Sequence, residues 1–264
     1  VTQSEYLRRQ AELVREERIE AAGSAVRLLS AGPEGSRAVL LLTGVGRGAR
    51  SDTALLLPML ARRHRVAALE LVDLRDPWLD GPAAVRAALD ALGADEAVLI
   101  GHSLGAAVAL ATVDDRVRAL ALVAGWLRPT ERLLRTARLW PQLLPTAQEE
   151  AALLLALLRS DTPSSPWDAD AARMLAASAR AEVVQAAARC RVPALIVGCS
   201  GDAVVGVDGP EALLGAIDDA RYAVVDSGHA VLAERPAELL ATLERFLADP
   251  HRDPPGSVLA AMRV

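Results

Sequence analysis

The sequence predicts an α/β domain, a mostly parallel β-sheet with helices on both faces and an all-helical insertion late in the chain. Three observations point there. Short apolar runs without polar alternation recur at 38–42, 66–71, 97–100, 117–123, 194–198 and 222–225, as strands buried on both faces require. Amphipathic stretches with helical periodicity separate them, at 54–63, 82–92, 104–113, 210–217 and 236–248. Between 126 and 189 the alternation stops, leaving Leu- and Ala-rich helical stretches punctuated by Pro129, Pro141, Pro145 and the Pro-rich loop at 162–166.

This rhythm divides the chain into a core at 1–125 and 190–250, a helical cap or lid at 126–189 inserted after the sixth main strand, and a tail at 251–264. Within the core, residues 3–17 read as a charged amphipathic helix, with Leu7, Ala11 and Val14 on one stripe. Two short strands follow at 19–22 and 26–30, joined through Gly23 and closed by the Gly32-Pro33-Glu34-Gly35 turn. The tail, with Pro254-Pro255-Gly256, reads as a loosely ordered extension or a short helix.

With 264 residues, 52% of them hydrophobic, the chain is long enough to bury one sizeable core. A net charge of −5 argues against a nucleic-acid or anionic-membrane surface. All 29 basic residues are arginine, and lysine and asparagine are absent, which reads as the codon bias of a GC-rich genome. Cys190 and Cys199 have no metal-ligand spacing and read as core thiols in a reducing compartment. Residues 1–18 lack the apolar stretch of a signal peptide, and no window reaches eighteen uninterrupted apolar residues, so the expected location is the cytoplasm.

The chemistry concentrates at Gly101-His102-Ser103-Leu104-Gly105, where an apolar strand runs into a Gly-x-Ser-x-Gly turn and then a helix-forming stretch. A serine on so sharp a turn is lifted clear of the backbone, and flanking glycines remove the Cβ atoms that would collide there. Its hydroxyl needs a base, normally a histidine oriented by a carboxylate. Of the four histidines, His64 reads as a solvated helix-end residue, His102 as packing beside the nucleophile, and His251 lies in the tail. His229 sits on the loop leaving the last main strand, at the sheet edge where open α/β sheets build their sites. The carboxylate candidate is Asp202, just past the preceding strand, with Asp208, Asp218 and Asp226 as rivals.

Over residues 38–248 the sequence resembles the α/β-hydrolase fold family. The Gly-His-Ser-Leu-Gly elbow, the Gly-x-x-x-Asp of 198–202 and the Gly228-His229 followed by Glu234-x-Pro236-x-Glu238 carry the resemblance. It implies Ser103 as nucleophile, Asp202 as acid, His229 as base, and no cofactor. It also implies an oxyanion hole from the backbone amides of Leu104 and Val45. Two loops depart from the family pattern. Thr43-Gly44 stands where a His-Gly pair is common, and 71–78 replaces the usual Asp-x-x-Gly-x-Gly after the fourth strand.

All four tryptophans, Trp78, Trp126, Trp140 and Trp167, fall outside the expected sheet and its helices, and either form the cap's own core or line an acyl pocket. The run 152–158 is apolar all round, as in a buried cap helix or a partner-facing surface. The functional expectation is acyl transfer from a small-molecule ester or thioester through an acyl-enzyme, with hydrolysis the default. An acyltransferase or thioesterase taking the acyl group from a carrier-protein thioester in secondary metabolism is the alternative. A non-catalytic receptor on the same scaffold is the reading from another class.

Overall fold

A computed structural model describes residues 12–46, 48–143 and 169–260. Among these, β1 (Arg15–Ala21), β2 (Ser24–Ala31), β3 (Ala38–Leu42), β4 (Arg65–Leu69), β5 (Ala97–His102), β6 (Val117–Val123), β7 (Ala194–Cys199), β8 (Ala220–Val225) and β9 (Val258–Leu259) form one sheet. Its order is β1-β2-β4-β3-β5-β6-β7-β8-β9. The β1–β2 and β2–β4 pairs are antiparallel, and every later neighbour pair is parallel.

The central strands are apolar throughout because both faces are covered. Leu40, Leu42, Leu99, Leu120, Leu122 and Ile196 point into one core layer, which includes residues of α3 (Gly81–Ala91) and α4 (Leu104–Ala111). Their strand neighbours Val39, Leu41, Val98, Ile100, Leu195 and Val197 point into the other. That second layer includes residues of α2 (Leu56–Leu60) and of α10 (Pro236–Ala248), notably Leu239, Leu243 and Phe246. Each such side chain contributes about 1.5–3 kcal/mol on burial.

The chain departs from the sequence reading in three places. Residues 15–17 belong to β1 and not to a helix ending at 17; residues 1–11 lie outside the described residues. The hairpin turns through Ala22 (φ 49°) and Gly23 (φ 72°), the paired left-handed residues that suit a two-residue turn between twisted strands. Pairing with β2 overrides local helix propensity, and the exposed Arg-Glu-Glu-Arg run suits a sheet edge.

The helix expected over 54–63 is shortened to α2, and a separate short helix, α1 (Ala49–Asp52), precedes it. Pro58 has no N–H to give a preceding carbonyl, and restarting the helix at Leu56 places it in the first turn, where none is needed. Finally, the tail adds β9 to the sheet edge. Arg221 is only 2% exposed and donates to the Asp253 carbonyl at 2.7 Å, and the Gly256 N–H reaches the Ala220 carbonyl at 2.7 Å.

Among the described residues, the connection between β6 and β7 carries the helices α5 (Glu131–Leu143), α6 (Ala169–Ser178) and α7 (Val184–Arg189). The apolar run 152–158 and Trp167 lie outside the described residues. Two more α-helices complete the description, α8 (Asp208–Leu214) and α9 (Val231–Glu234). No helix among the described residues is long and apolar enough to cross a membrane.

An arginine fork holds the insertion to the loop after β4. Arg173, on α6, donates to the Val72 carbonyl at 2.6 Å and to the Leu74 carbonyl, while Arg180 pairs with Asp76 at 2.9 Å. Arg173→Ala is expected to lower stability by about 2 kcal/mol, because two carbonyls lose a charged donor at a side chain about one-third exposed. Arg173→Lys should recover only part of that, since one ammonium cannot reproduce the fork. Thermal unfolding of both variants measures it, and an unchanged midpoint for Arg173→Ala would exclude the anchoring role.

Candidate active site

Ser103 occupies the one-residue step from β5 into α4, at φ 57° and ψ −122°. An L-residue there costs about 1–3 kcal/mol and persists only where its surroundings enforce it. The Ser103 N–H donates to the Val123 carbonyl of β6 at 2.9 Å. A Cβ on Gly101 would lie 2.5 Å from the Ala106 backbone nitrogen, and one on Gly105 would strike the Leu42 carbonyl. Both glycines are therefore required by close backbone approach, and the sharp elbow read from sequence is present.

Asp202 follows β7 and is 4% exposed. Its Oδ1 accepts the N–H groups of Val204 and Val205, each at 2.8 Å, so the loop folds around the carboxylate. Oδ2 lies 2.8 Å from His229 Nδ1, and His229 Nε2 lies 3.0 Å from Ser103 Oγ. A carboxylate only accepts, so Nδ1–H donates to Asp202. That leaves the Nε2 lone pair facing the Ser103 hydroxyl. Burial alone would push the Asp202 carboxyl up. The electrostatic pull of the adjacent His229 ring, its hydrogen bond and the two amides outweigh that and hold it below the usual carboxylate range.

The three rival acids lie elsewhere. Asp226 accepts from Ser200 Oγ at 2.6 Å, Asp218 is exposed and lies 3.6 Å from Arg191, and Asp208 is exposed at the start of α8. His64 is half-buried beside Arg37 and Glu244, and His251 is exposed near Asp219. His102 Nε2 faces the His229 backbone carbonyl, at 2.8 Å. Cys190 and Cys199 are buried and free, and burial raises both thiols. Among the described residues no cluster of three or more His, Cys, Asp or Glu side chains is placed to hold a metal ion.

The loop after β3 comes up against the elbow at Gly44, where an added Cβ would lie 2.6 Å from Ser103 Cβ and 2.9 Å from its Oγ. Val45, the next residue, and Leu104, the first residue of α4, are the two amides expected to face an oxyanion; a helix-starting N–H has no partner within its own helix. Of the tryptophans, Trp126 and Trp140 are each 1% exposed within the core. The Trp126 indole N–H donates to the Ala181 carbonyl at 2.7 Å, which ties the start of the insertion to its far end. Trp78 is half-buried, packed at the edge of that same core.

One supporting residue was missed from sequence. Glu70, immediately after β4, is 5% exposed and accepts the Ala49 N–H at 2.8 Å, which pins the far end of the β3 loop. Its signal was a lone acid ending an apolar strand at the sheet's carboxyl edge. Arg27 lies 3.8 Å from it and is itself held by a two-pronged hydrogen bond to Asp73.

Two outcomes follow from these contacts. Gly44→Ala should cut kcat/KM for a chromogenic ester by about 100-fold or more with the fold intact by circular dichroism, because Ser103 or the loop must shift; near wild-type turnover would place the loop elsewhere. Burial raises the Glu70 carboxyl despite the Ala49 amide and Arg27. A raised carboxyl stabilises the fold below its ordinary value of about 4.3 and loses that contribution as pH rises through the raised one. The stability of Glu70→Gln relative to wild type should therefore increase from about pH 4 to about pH 7 in denaturant titrations, and a pH-independent gap would contradict the assignment.

Comparison with known proteins agrees with this architecture. Residues 25–242 match the family described as the alpha/beta hydrolase family. A stretch of 172 residues is 27% identical to pyrrolizixenacetamide deacetylase of Xenorhabdus hominickii, covering 56% of this chain and 64% of that relative. The chain thus spans less than two-thirds of that protein's length. Among solved structures, the 2-hydroxy-6-oxo-6-phenylhexa-2,4-dienoate hydrolase of Rhodococcus sp. strain RHA1 superposes with a TM-score of 0.74 at 20% identity, covering 89% of this chain and 99% of the other. The esterase RhEst1 of Rhodococcus sp. ECU1013 gives 0.70 at 18% identity, covering 90% and 99%. At such identities these structures speak for the fold, and the family match extends across most of the sheet: the chain belongs to the alpha/beta hydrolase family.

Proposed function

We propose that the chain is a serine hydrolase that cleaves a small-molecule ester or thioester through an acyl-enzyme. The observation that carries this is the unbroken relay Ser103 Oγ to His229 Nε2 at 3.0 Å and His229 Nδ1 to Asp202 Oδ2 at 2.8 Å. In the first step Ser103 Oγ attacks the acyl carbon while His229 takes its proton. The oxygen that becomes negative meets the amides of Leu104 and Val45, each worth about 3–4 kcal/mol if well aimed. Collapse expels the alcohol or thiol, which takes the proton back from His229. A water activated by the same imidazole then releases the acid. Asp202 stays ionised throughout, and its depressed pKa supports that role.

The deacetylase relative supports removal of a small acyl group as the first class to test. Intact-protein mass after mixing with aryl and alkyl acyl esters and thioesters is expected to show an acyl-sized gain in wild type and none in Ser103→Ala. Loss of substrate without an adduct means fast deacylation and still supports hydrolysis. Product formed preferentially with an added amine or alcohol acceptor indicates acyl transfer. Neither adduct nor substrate loss across the panel would favour a binding role. Asp202→Asn should lower kcat by about 10⁴-fold with the fold retained, since the wrong imidazole tautomer then faces Ser103.

A further inference from the structure

His229 depends on the position of the five-residue segment between β8 and α9, and the backbone of that segment is gripped on both sides of the histidine. On one side, the Gly228 N–H donates to Glu234 Oε2 at 2.8 Å, and Ser227 Oγ donates to the same oxygen at 3.1 Å. On the other, the His229 carbonyl lies 2.8 Å from His102 Nε2. A carbonyl has no proton to give, so His102 Nε2 carries one and donates.

His102 is 6% exposed, and its ring lies 5.0 Å from that of His229 at a tilt of 43°. It is also the last residue of β5, directly before Ser103. Its hydrogen bond therefore ties the nucleophile's own strand to the backbone of the base. Glu234, on the short helix α9, holds the opposite side of the same peptide pair, and its Oε1 is buried without a hydrogen-bond partner. A buried acceptor left unmade is a cost that an apolar residue of similar size would not carry. That cost has a use if Oε2 must stay on the turn.

We propose that His102 and Glu234 are positioning residues for His229. Together they fix the backbone on either side of it, at the Gly228 N–H and the His229 carbonyl, so that Nε2 stays within reach of Ser103 Oγ as the ring gains and loses its proton. The inference rests on the reading of His229 as the base. It assigns His102 a function other than elbow packing. The leverage is large because displacing a reacting group by about 1 Å costs roughly 100-fold in rate.

Glutamine and asparagine separate this role from simple packing. The Gln Nε2 reaches about as far as the histidine Nε2, whereas the Asn Nδ2 falls short by one bond. Turnover of 4-nitrophenyl acetate by the full chain is the readout, with kcat and KM determined separately. His102→Gln should stay within about threefold of wild type, and His102→Asn should lose about 10- to 100-fold in kcat with KM little changed. Glu234→Gln keeps one carbonyl oxygen for the Gly228 N–H and should likewise outperform Glu234→Leu. In the His102→Asn, Glu234→Leu double variant the combined loss should fall short of the product of the single losses, because both residues act on one group.

Equal activity of His102→Gln and His102→Asn, or losses confined to KM, would overturn the proposal. If Glu234→Leu does not fold, the His102 pair still decides. Ser103→Ala, assayed beside them, keeps the two levels apart. An inactive Ser103→Ala with unaffected His102 and Glu234 variants refutes the positioning role alone. A Ser103→Ala that turns over substrate removes the underlying reading as well.

Discussion

The backbone of Ser103 is the constraint on which the rest of the site depends. A side chain at φ 57° and ψ −122° is held there by the Val123 carbonyl and by helix packing that only glycine at 101 and 105 allows. The strain places the hydroxyl above the carboxyl edge of the sheet, the edge to which every βα loop of a parallel sheet also delivers its residues. Because β5, β6, β7 and β8 are consecutive neighbours, Asp202 after β7 and His229 after β8 reach it with short loops.

The loops are then fixed by a division of labour between charges. Carboxylates take backbone N–H groups: Asp202 from Val204 and Val205, Glu70 from Ala49, Glu234 from Gly228, and Asp76 from Trp78 and Leu79. Arginines take backbone carbonyls: Arg173 from Val72 and Leu74, Arg221 from Asp253, and Arg37 from Leu247. A chain with no asparagine and no lysine has few other ways to satisfy loop backbone with side chains.

The loop after β4, which departs from the family pattern, serves as a dock. It receives Arg173 and Arg180 from the insertion, and Asp73 from the same loop anchors Arg27. Trp126 has its indole N–H committed to Ala181, which is the behaviour of a core residue.

The local sequence determined a good deal. Unalternating apolar runs marked the parallel strands, since burial on both faces leaves no solvent side to encode, and β3, β6 and α10 have the bounds the pattern predicts. The Gly-x-Ser-x-Gly turn and a short roll of histidines named Ser103 and His229 because each carries its own local cue. What lacked a local cue was decided only by tertiary structure. Residues 15–17 became a strand through pairing with β2, the tail became β9 through the Arg221 anchor, and Asp202 was separated from Asp226 by which loop reaches Nδ1. Glu70 and Glu234 stood out in the sequence, one as a lone acid ending a strand and one within a motif, but the backbone atoms that they and His102 hold, 21, 6 and 127 residues away, were set only by the fold.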